Sequence, residues 1–168
     1  MLSIVKNQPK ISASSQLDFA DIRTDVVTGH RALLSKQNFN TNDVICSFSW
    51  AAIYENPTYL TVQISEHEHI ELLPTFLECM NHHCAPNCFL DTTKKQLICL
   101  KPIQAGDEFN FFYPSAEWGM AQSFDCTCSD INCIGVVRGA KYLPTAILAR
   151  YRFTDFIQRK LNQLHSNL

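Results

Sequence analysis

Short runs of β-branched and aromatic residues, separated by polar turns, occupy most of the chain after residue 18. Apolar and polar positions that alternate in this way are typical of strands with one buried face, so we expect a series of short strands. The polar run 65–68 lies between two alternating segments and predicts a β-hairpin over 59–73. The predicted strands lie between Phe19 and Phe48 and at 59–64, 69–73, 96–100 and 108–113.

The apolar spacing changes after Tyr142, near the end of the sequence. Large apolar residues recur there mostly three or four positions apart, as they do on one face of a helix. Pro144 suits a first helical turn, where its missing N–H has no partner to lose. The sequence therefore predicts one packing helix over 144–168. Its apolar positions are Leu143, Ile147, Leu148, Tyr151, Phe156, Ile157 and Leu161.

Composition and charge narrow the class of protein. A length of 168 residues suits a single domain whose core does not need disulfides. The net charge is -2 and the basic residues are scattered, so we expect no nucleic-acid partner, which would require a clustered basic face. No run resembles a signal peptide or a membrane span, which predicts an intracellular, cytoplasmic protein without a membrane partner. The pattern leaves the oligomeric state open.

Cys126, Cys128 and Cys133 form a Cys-x-Cys-x4-Cys pattern that indicates a metal site. Structural zinc binds four ligands and prefers thiolates, so this triplet needs a fourth ligand from elsewhere. The best candidate is Cys84, in a polar, turn-forming run, and Cys88 in the same run is the alternative. A reducing compartment favours zinc over disulfides, with free thiols or a disulfide pair as the competing interpretation. The cysteines with apolar neighbours are expected in the core: Cys46, Cys79 and Cys99.

Three motifs occur in a fixed order along the chain. They are Asn81-His82-x-Cys84-x-Pro86-Asn87, then Gly106-Asp107-Glu108-Phe109-x-Phe111-Phe112-Tyr113, then the cysteine triplet. In this order they resemble the SET-domain protein lysine methyltransferases with a post-SET zinc segment, in their small stand-alone form. The resemblance extends from about Phe19 to Leu143.

The resemblance implies a fold and a division of the chain. The implied fold is mainly β, the SET-domain (β-clip) arrangement of small sheets with a pseudoknot, a post-SET zinc loop and a C-terminal helix. Residues 1–18 would be an N-terminal extension and 19–117 the SET domain, with 51–77 as an inserted substrate-side segment. Residues 118–143 would be the post-SET zinc segment and 144–168 the C-terminal helix.

The resemblance also implies roles for individual residues. Tyr113 matches the catalytic tyrosine at the mouth where the lysine amine meets the donor methyl, and Phe48 and Phe111 match positions in the lysine channel. The implied contacts of S-adenosylmethionine are His30, Arg31, Ala32, Asn81 and His82. The implied zinc ligands are Cys84, Cys126, Cys128 and Cys133. Residues 30–32 depart from the family pattern, because neither glycine of its early Gly-x-Gly is present.

The implied reaction sets a requirement on the substrate amine. A lysine with a pKa of about 10.4 is protonated at neutral pH, and an apolar channel beside a sulfonium charge would favour its neutral form. We therefore expect an enzyme that methylates a lysine of a protein or peptide lying as an added strand beside the hairpin 59–73. The alternatives are a catalytically silent SET module that binds a peptide or lysine side chain, and a zinc-stabilised β scaffold.

Overall fold

A computed structural model describes residues 18–166, and within them the chain forms twelve short strands and two α-helices. The predicted N-terminal extension thus lies almost wholly outside the described residues. Short 3-10 helices cover Thr75–Cys79, Tyr113–Ser115 and Ala140–Tyr142. The strands are β1 (Ala20–Thr24), β2 (Arg31–Ser35), β3 (Val44–Ser47), β4 (Ser49–Tyr54), β5 (Thr61–Gln63), β6 (His69–Leu73), β7 (Asn81–His82), β8 (Cys88–Asp91), β9 (Gln96–Cys99), β10 (Asn110–Phe111), β11 (Phe124–Asp125) and β12 (Val136–Val137).

The strands of the described residues form four small sheets. The largest has the order β3-β9-β8-β10-β7, and a second has the order β4-β6-β5. The remaining pairs, β1 with β2 and β11 with β12, are antiparallel ribbons. The mainly β fold class predicted from the alternating pattern is therefore confirmed.

A crossing of two segments organises the largest sheet. β10 pairs in parallel with both β7 and β8, although β7 and β8 are joined directly by the loop 83–87. The His83 N–H donates to the Phe111 carbonyl at 3.1 Å, and the Asn87 side-chain amide donates to the Glu108 carbonyl at 2.8 Å. The later strand is thereby held against the earlier loop, which is the crossing that a pseudoknot requires.

Two predicted strands are shorter in the structure. The hairpin 59–73 is present, with Gln63 of β5 opposite His69 of β6. β5 begins only at Thr61, because Thr58 donates its N–H to the Thr61 hydroxyl at 2.8 Å and closes a turn. The predicted strand 108–113 contracts to β10, because a 3-10 helix begins at Tyr113 and contains Pro114, which has no N–H for a ladder.

The main core lies between the sheets and contains a cluster of aromatic rings. Phe19 packs edge-on against Phe39, Phe76 and Phe109 with ring centroids 6.2, 5.7 and 6.0 Å apart. Edge-to-face packing adds to the stabilisation from burial alone. Phe109 is fully buried just before β10, so the core fixes the base of the crossing strand.

The predicted single helix over 144–168 is wrong in one respect, because two helices occur: α1 (Thr145–Leu148) and α2 (Asp155–Ser166). The break places the Tyr151 ring parallel to Phe112 at a centroid distance of 3.6 Å. The Thr154 N–H donates to the Ser115 carbonyl at 2.9 Å instead of continuing a helix. These tertiary contacts override the helical spacing. Neither helix in the described part of the chain is long and apolar enough to cross a bilayer.

We expect Gly139→Ala to lower the free energy of unfolding by about 3 kcal/mol or more. Gly139 has φ +112°, and a Cβ there would lie 2.6 Å from the Trp118 carbonyl oxygen. Gly29→Ala is the matched control, since Gly29 also has a positive φ of +71° but has nothing within 4 Å of an added Cβ. Gly29→Ala should lower the free energy of unfolding by only about 1 kcal/mol. Urea unfolding measures both, and equal losses would contradict the role assigned to the close backbone contact.

Candidate active site and metal centre

Four cysteines lie together at one end of the largest sheet. The sulfur atoms of Cys84, Cys126, Cys128 and Cys133 all lie within 4.8 Å of one another, and all four thiols are free. The Cys84 sulfur is 3.8 Å from that of Cys126 and 4.0 Å from that of Cys133. A zinc–sulfur bond of about 2.3 Å in a tetrahedron requires sulfurs about 3.8 Å apart, so the donor set fits zinc.

Local backbone structure explains how two distant segments supply these thiols. Cys84 follows β7, whereas the other three lie between β11 and β12, where the Cys126 N–H donates to the Gly135 carbonyl. The Ile134 N–H points at the Cys84 sulfur at 3.4 Å. Burial raises the pKa of the Cys84 thiol, so a bound cation would be needed to keep it as a thiolate at neutral pH. Cys88, the alternative ligand, is instead buried in β8 and lies outside this group.

A cavity of about 430 Å³ lies beside the cysteine group, and we call it the polar cavity. Three of the five predicted cofactor contacts, His30, Asn81 and His82, line it. The other two do not. Its lining residues are His30, Asn81, His82, His83, Glu108, Asn110, Tyr113, Phe124, Asp125, Cys126, Thr127 and Cys128.

Arg31 and Ala32 are held away from the polar cavity by their own contacts. The Arg31 guanidinium pairs with the Glu78 carboxylate at 2.8 Å, and Ala32 is buried in β2. Arg31 still contributes through its backbone, because its carbonyl accepts the Asn81 side-chain amide at 2.9 Å. The same amide nitrogen donates to Glu108 at 2.7 Å. Arg31 therefore orients a lining residue through its backbone. The contact of residues 30–32 with the cofactor, which the resemblance places on the backbone, stays a prediction.

His82 connects the polar cavity to the cysteine group. Its Nδ1 accepts the Tyr113 N–H at 3.2 Å, which leaves the proton of the neutral ring on Nε2. Nε2 lies 3.4 Å from the Cys84 sulfur and can donate to it. Burial lowers the pKa of His82 to about 4, so the ring is neutral at physiological pH.

A second cavity of about 340 Å³ also adjoins Tyr113, and we call it the apolar cavity. Tyr113 and Phe124 line both cavities, so the two meet at these rings. The Tyr113 hydroxyl donates to the Met80 carbonyl at 2.9 Å, and burial raises its pKa to about 12. The remaining lining residues are Thr58, Tyr59, Leu60, Thr61, Val62, Leu72, Leu77, Glu78, Met80, Phe111, Glu117, Met120, Ala121, Gln122 and Ser123.

The two phenylalanines predicted for a lysine channel lie in different places. Phe111 lines the apolar cavity, with its ring centroid 4.7 Å from that of Tyr113. Phe48 is only 3% exposed and packs in the main core, and it lines neither cavity. Its position between β3 and β4 turns the side chain inwards, so the channel role predicted for Phe48 is not supported by the structure.

Two residues of the site were missed by sequence reasoning. Phe124 packs on both His82 and Tyr113, at centroid distances of 5.9 and 6.0 Å. Its place just before Cys126 was the available signal. Glu117 had no local signal, because its contact is with the Gln63 N–H, which lies far away in the sequence.

Comparisons with known proteins agree with the interpretation of the three motifs. The chain is 38% identical over 96 residues to the methyltransferase flvH of Aspergillus flavus, covering 56% of this chain and 53% of that protein. It is 32% identical over 87 residues to a histone-lysine N-methyltransferase, H3 lysine-36 specific, of Chaetomium globosum, covering 45% of this chain and 10% of that protein. The chain thus spans about half of the first relative and about a tenth of the second. No family model matches it.

The fold is similar to that of KRYPTONITE. A crystal structure of that protein with mCHG DNA and SAH superposes with a TM-score of 0.55 at 17% identity, covering 71% of this chain and 29% of the other. A second, with mCHH DNA, an H3(1-15) peptide and SAH, gives a TM-score of 0.52. The chain therefore has a fold like that of KRYPTONITE, and part of its sequence is similar to those of methyltransferases. Since the KRYPTONITE structures contain DNA, they give no support to the expected exclusion of nucleic acid.

Purified protein should contain one zinc ion per chain, and Cys128→Ser should lose most of it. The variant should keep the far-ultraviolet circular dichroism of its strands, because the main core is built from other residues. Cys46→Ser is the matched control, since this half-buried thiol lies outside the cysteine group and its loss should leave zinc bound. Metal analysis provides the measurement, and full zinc content in Cys128→Ser would contradict the assignment.

Glu117 should make the stability of the protein depend on pH. Burial raises its pKa from an ordinary 4.5 to about 8. Between these pH values the Glu117 carboxyl is ionised in the unfolded chain and protonated in the folded protein. The free energy of unfolding therefore falls as pH rises through this window. The free energy of unfolding of Glu117→Gln, relative to that of wild type, should rise by up to about 1.4 kcal/mol per pH unit from about pH 5 to pH 8.

Urea unfolding at several pH values tests this expectation. Glu68→Gln, a change of the same kind at an exposed position, should show no such trend. A stability difference between Glu117→Gln and wild type that stays constant with pH would show that Glu117 is ionised in the folded protein.

Proposed function

We propose that the protein is an S-adenosylmethionine-dependent methyltransferase that acts on a lysine side chain of a protein or peptide. The observation that carries this proposal is the meeting of a polar and an apolar cavity at Tyr113 and Phe124. Such an arrangement allows a donor and an acceptor to enter from opposite sides and to meet at one point, which is how enzymes gain from proximity. The names of the relatives, methyltransferase and histone-lysine N-methyltransferase, support it.

The polar cavity is the proposed site of the cofactor. When bound, S-adenosylmethionine supplies an electrophilic methyl group on a sulfonium. The imidazoles of His30 and His82, the Asn81 backbone and the Glu108 carboxylate offer donors and acceptors of the kinds that its amino, carboxylate and adenine groups require. SAH in the KRYPTONITE structures, whose fold is similar, supports a cofactor of this class.

The apolar cavity is the proposed site of the lysine side chain. Its aliphatic and aromatic walls disfavour the ammonium form and so lower the pKa of an entering lysine. The Tyr113 hydroxyl donates its hydrogen bond to the Met80 carbonyl. Its oxygen remains free to accept a hydrogen bond from an N–H of the amine. With a pKa of about 12, Tyr113 orients the amine and does not act as a base at neutral pH.

The cysteine group would set the position of one wall of both cavities. Zinc bound by Cys84 and the three later thiols would fix β11, which carries Phe124 against Tyr113. We therefore propose a structural role for zinc, with all four ligand positions filled by protein. Reduced thiols agree with an intracellular location, which remains a proposal.

The first test is Tyr113→Phe against Tyr54→Phe. Tyr113→Phe should reduce methyl transfer at least a hundredfold while binding of S-adenosylmethionine changes less than threefold, about 3 and 0.6 kcal/mol respectively. Tyr54 is the matched control, because its hydroxyl bonds the exposed Glu71 carboxylate and lies outside both cavities. Calorimetry measures binding, and labelled methyl transfer to a panel of proteins and lysine-centred peptides measures activity.

The outcomes separate the competing functions. Cofactor binding without transfer to any protein or peptide would favour the silent SET module. Failure of the wild-type protein to bind S-adenosylmethionine would overturn the proposal, and full activity of Tyr113→Phe would overturn the role of the hydroxyl.

A further inference from the structure

Glu117 lines the apolar cavity, and only one of its two carboxyl oxygens has a hydrogen-bond partner among residues 18–166. The residue is 7% exposed. One carboxyl oxygen accepts the Gln63 N–H of β5 at 3.0 Å, and the other has no hydrogen-bond partner among residues 18–166. This second oxygen is not among the fully buried atoms that lack a partner, and Glu117 lines the apolar cavity, so a ligand in the cavity can reach it.

The residues that the structure describes do not supply a positive partner for Glu117. No lysine, arginine or histidine of the described residues lines the apolar cavity. Glu78 also lines it, but its carboxylate is already paired with Arg31 at 2.8 Å. The free oxygen of Glu117 is therefore the available acceptor for a cation that enters from outside.

The position of Glu117 is fixed before any ligand arrives. Its carboxyl is tied to the Gln63 backbone, and the Gln63 side chain in turn accepts the Trp118 N–H at 3.0 Å. These two hydrogen bonds join β5 to the segment after Tyr113. The Gln63 N–H points outward from β5 and is already bonded to Glu117, so an added strand could not pair with it without displacing Glu117.

The chemistry of methyl transfer decides which cation Glu117 can bind. A carboxylate beside the target nitrogen would stabilise its ammonium form, which has no lone pair to attack a methyl group. The Tyr113 hydroxyl is fixed by the Met80 carbonyl, whereas the Glu117 carboxyl is fixed separately by the Gln63 N–H of β5. A productive role for Glu117 therefore requires a second cation, distinct from the target amine.

Building on the proposed function, we propose that Glu117 is a specificity-determining residue that binds a second basic side chain close to the target lysine of a peptide substrate. An arginine or lysine there would supply the missing hydrogen bond and release the carboxyl proton to solvent, so that the cation and the carboxylate form an ion pair. A charge-assisted contact of this kind should favour the basic residue over a neutral isostere by about tenfold or more.

The test uses two sets of lysine-centred alanine peptides. In one set a single arginine is moved through positions -3 to +3 around the lysine, and in the other the uncharged isostere citrulline takes its place. Dissociation constants are measured by fluorescence anisotropy with protein saturated in S-adenosylhomocysteine, and KM and kcat are measured with labelled S-adenosylmethionine. Wild type, Glu117→Gln and Glu78→Gln are compared.

We expect arginine to bind about tenfold more tightly than citrulline at one position, with a matching change in KM and little change in kcat. Glu117→Gln should remove this advantage and leave citrulline peptides unaffected. Glu78→Gln, the same change in the same cavity, should retain it. The glutamine variant keeps an acceptor for the Gln63 N–H, so its fold should be preserved.

Each other result has a definite meaning. No arginine advantage at any position, an advantage that survives in Glu117→Gln, or an equal loss for arginine and citrulline peptides would overturn the proposal. Loss of the advantage in Glu78→Gln alone would transfer the role to Glu78. Selective binding that depends on Glu117 but without methyl transfer would sustain this inference and overturn the proposed enzymatic function, so the two can fail separately.

Discussion

The insertion of β10 between β7 and β8 is the constraint on which the rest of the site depends. It brings the end of β10 beside Asn81 and His82, so that the Tyr113 N–H reaches the His82 ring. Two residues further along, Cys84 belongs to the cysteine group. One short segment thus faces the polar cavity and also supplies one thiol of the cysteine group. A shift in the register of the crossing would displace both at once.

The parts of the structure that sequence could predict are those with a local signal. Alternating side chains identified the hairpin of β5 and β6, and cysteine spacing with a nearby polar loop led to Cys84. The break between α1 and α2 had no such signal, because Tyr151 stacks on Phe112 from a distant part of the chain. The channel role of Phe48 came from the resemblance and not from a local pattern, whereas in the structure its side chain packs in the main core.

The C-terminal segment contributes to the site through this break. The Tyr151 hydroxyl donates to the Cys84 carbonyl at 2.8 Å, while its ring covers Phe112 at the end of β10. A continuous helix would place neither group there. Tyr151 therefore joins the two sides of the crossing, the loop that carries Cys84 and the strand that leads to Tyr113.

The stability of the cap formed by β11 and β12 differs in origin from that of the core. Each of these strands has two residues, and both residues of β11 are exposed. A two-stranded ribbon of this size is not stable by itself in water, so it depends on contacts beyond its own strands, among them the fully buried Val137. Four thiolates bound to one ion would add a cross-link, because metal binding contributes directly to folding. The main core has its own aromatic cluster and does not need the ion. Since Phe124 lies on the cap and Tyr113 on the core, the junction of the two cavities forms only when both units are ordered.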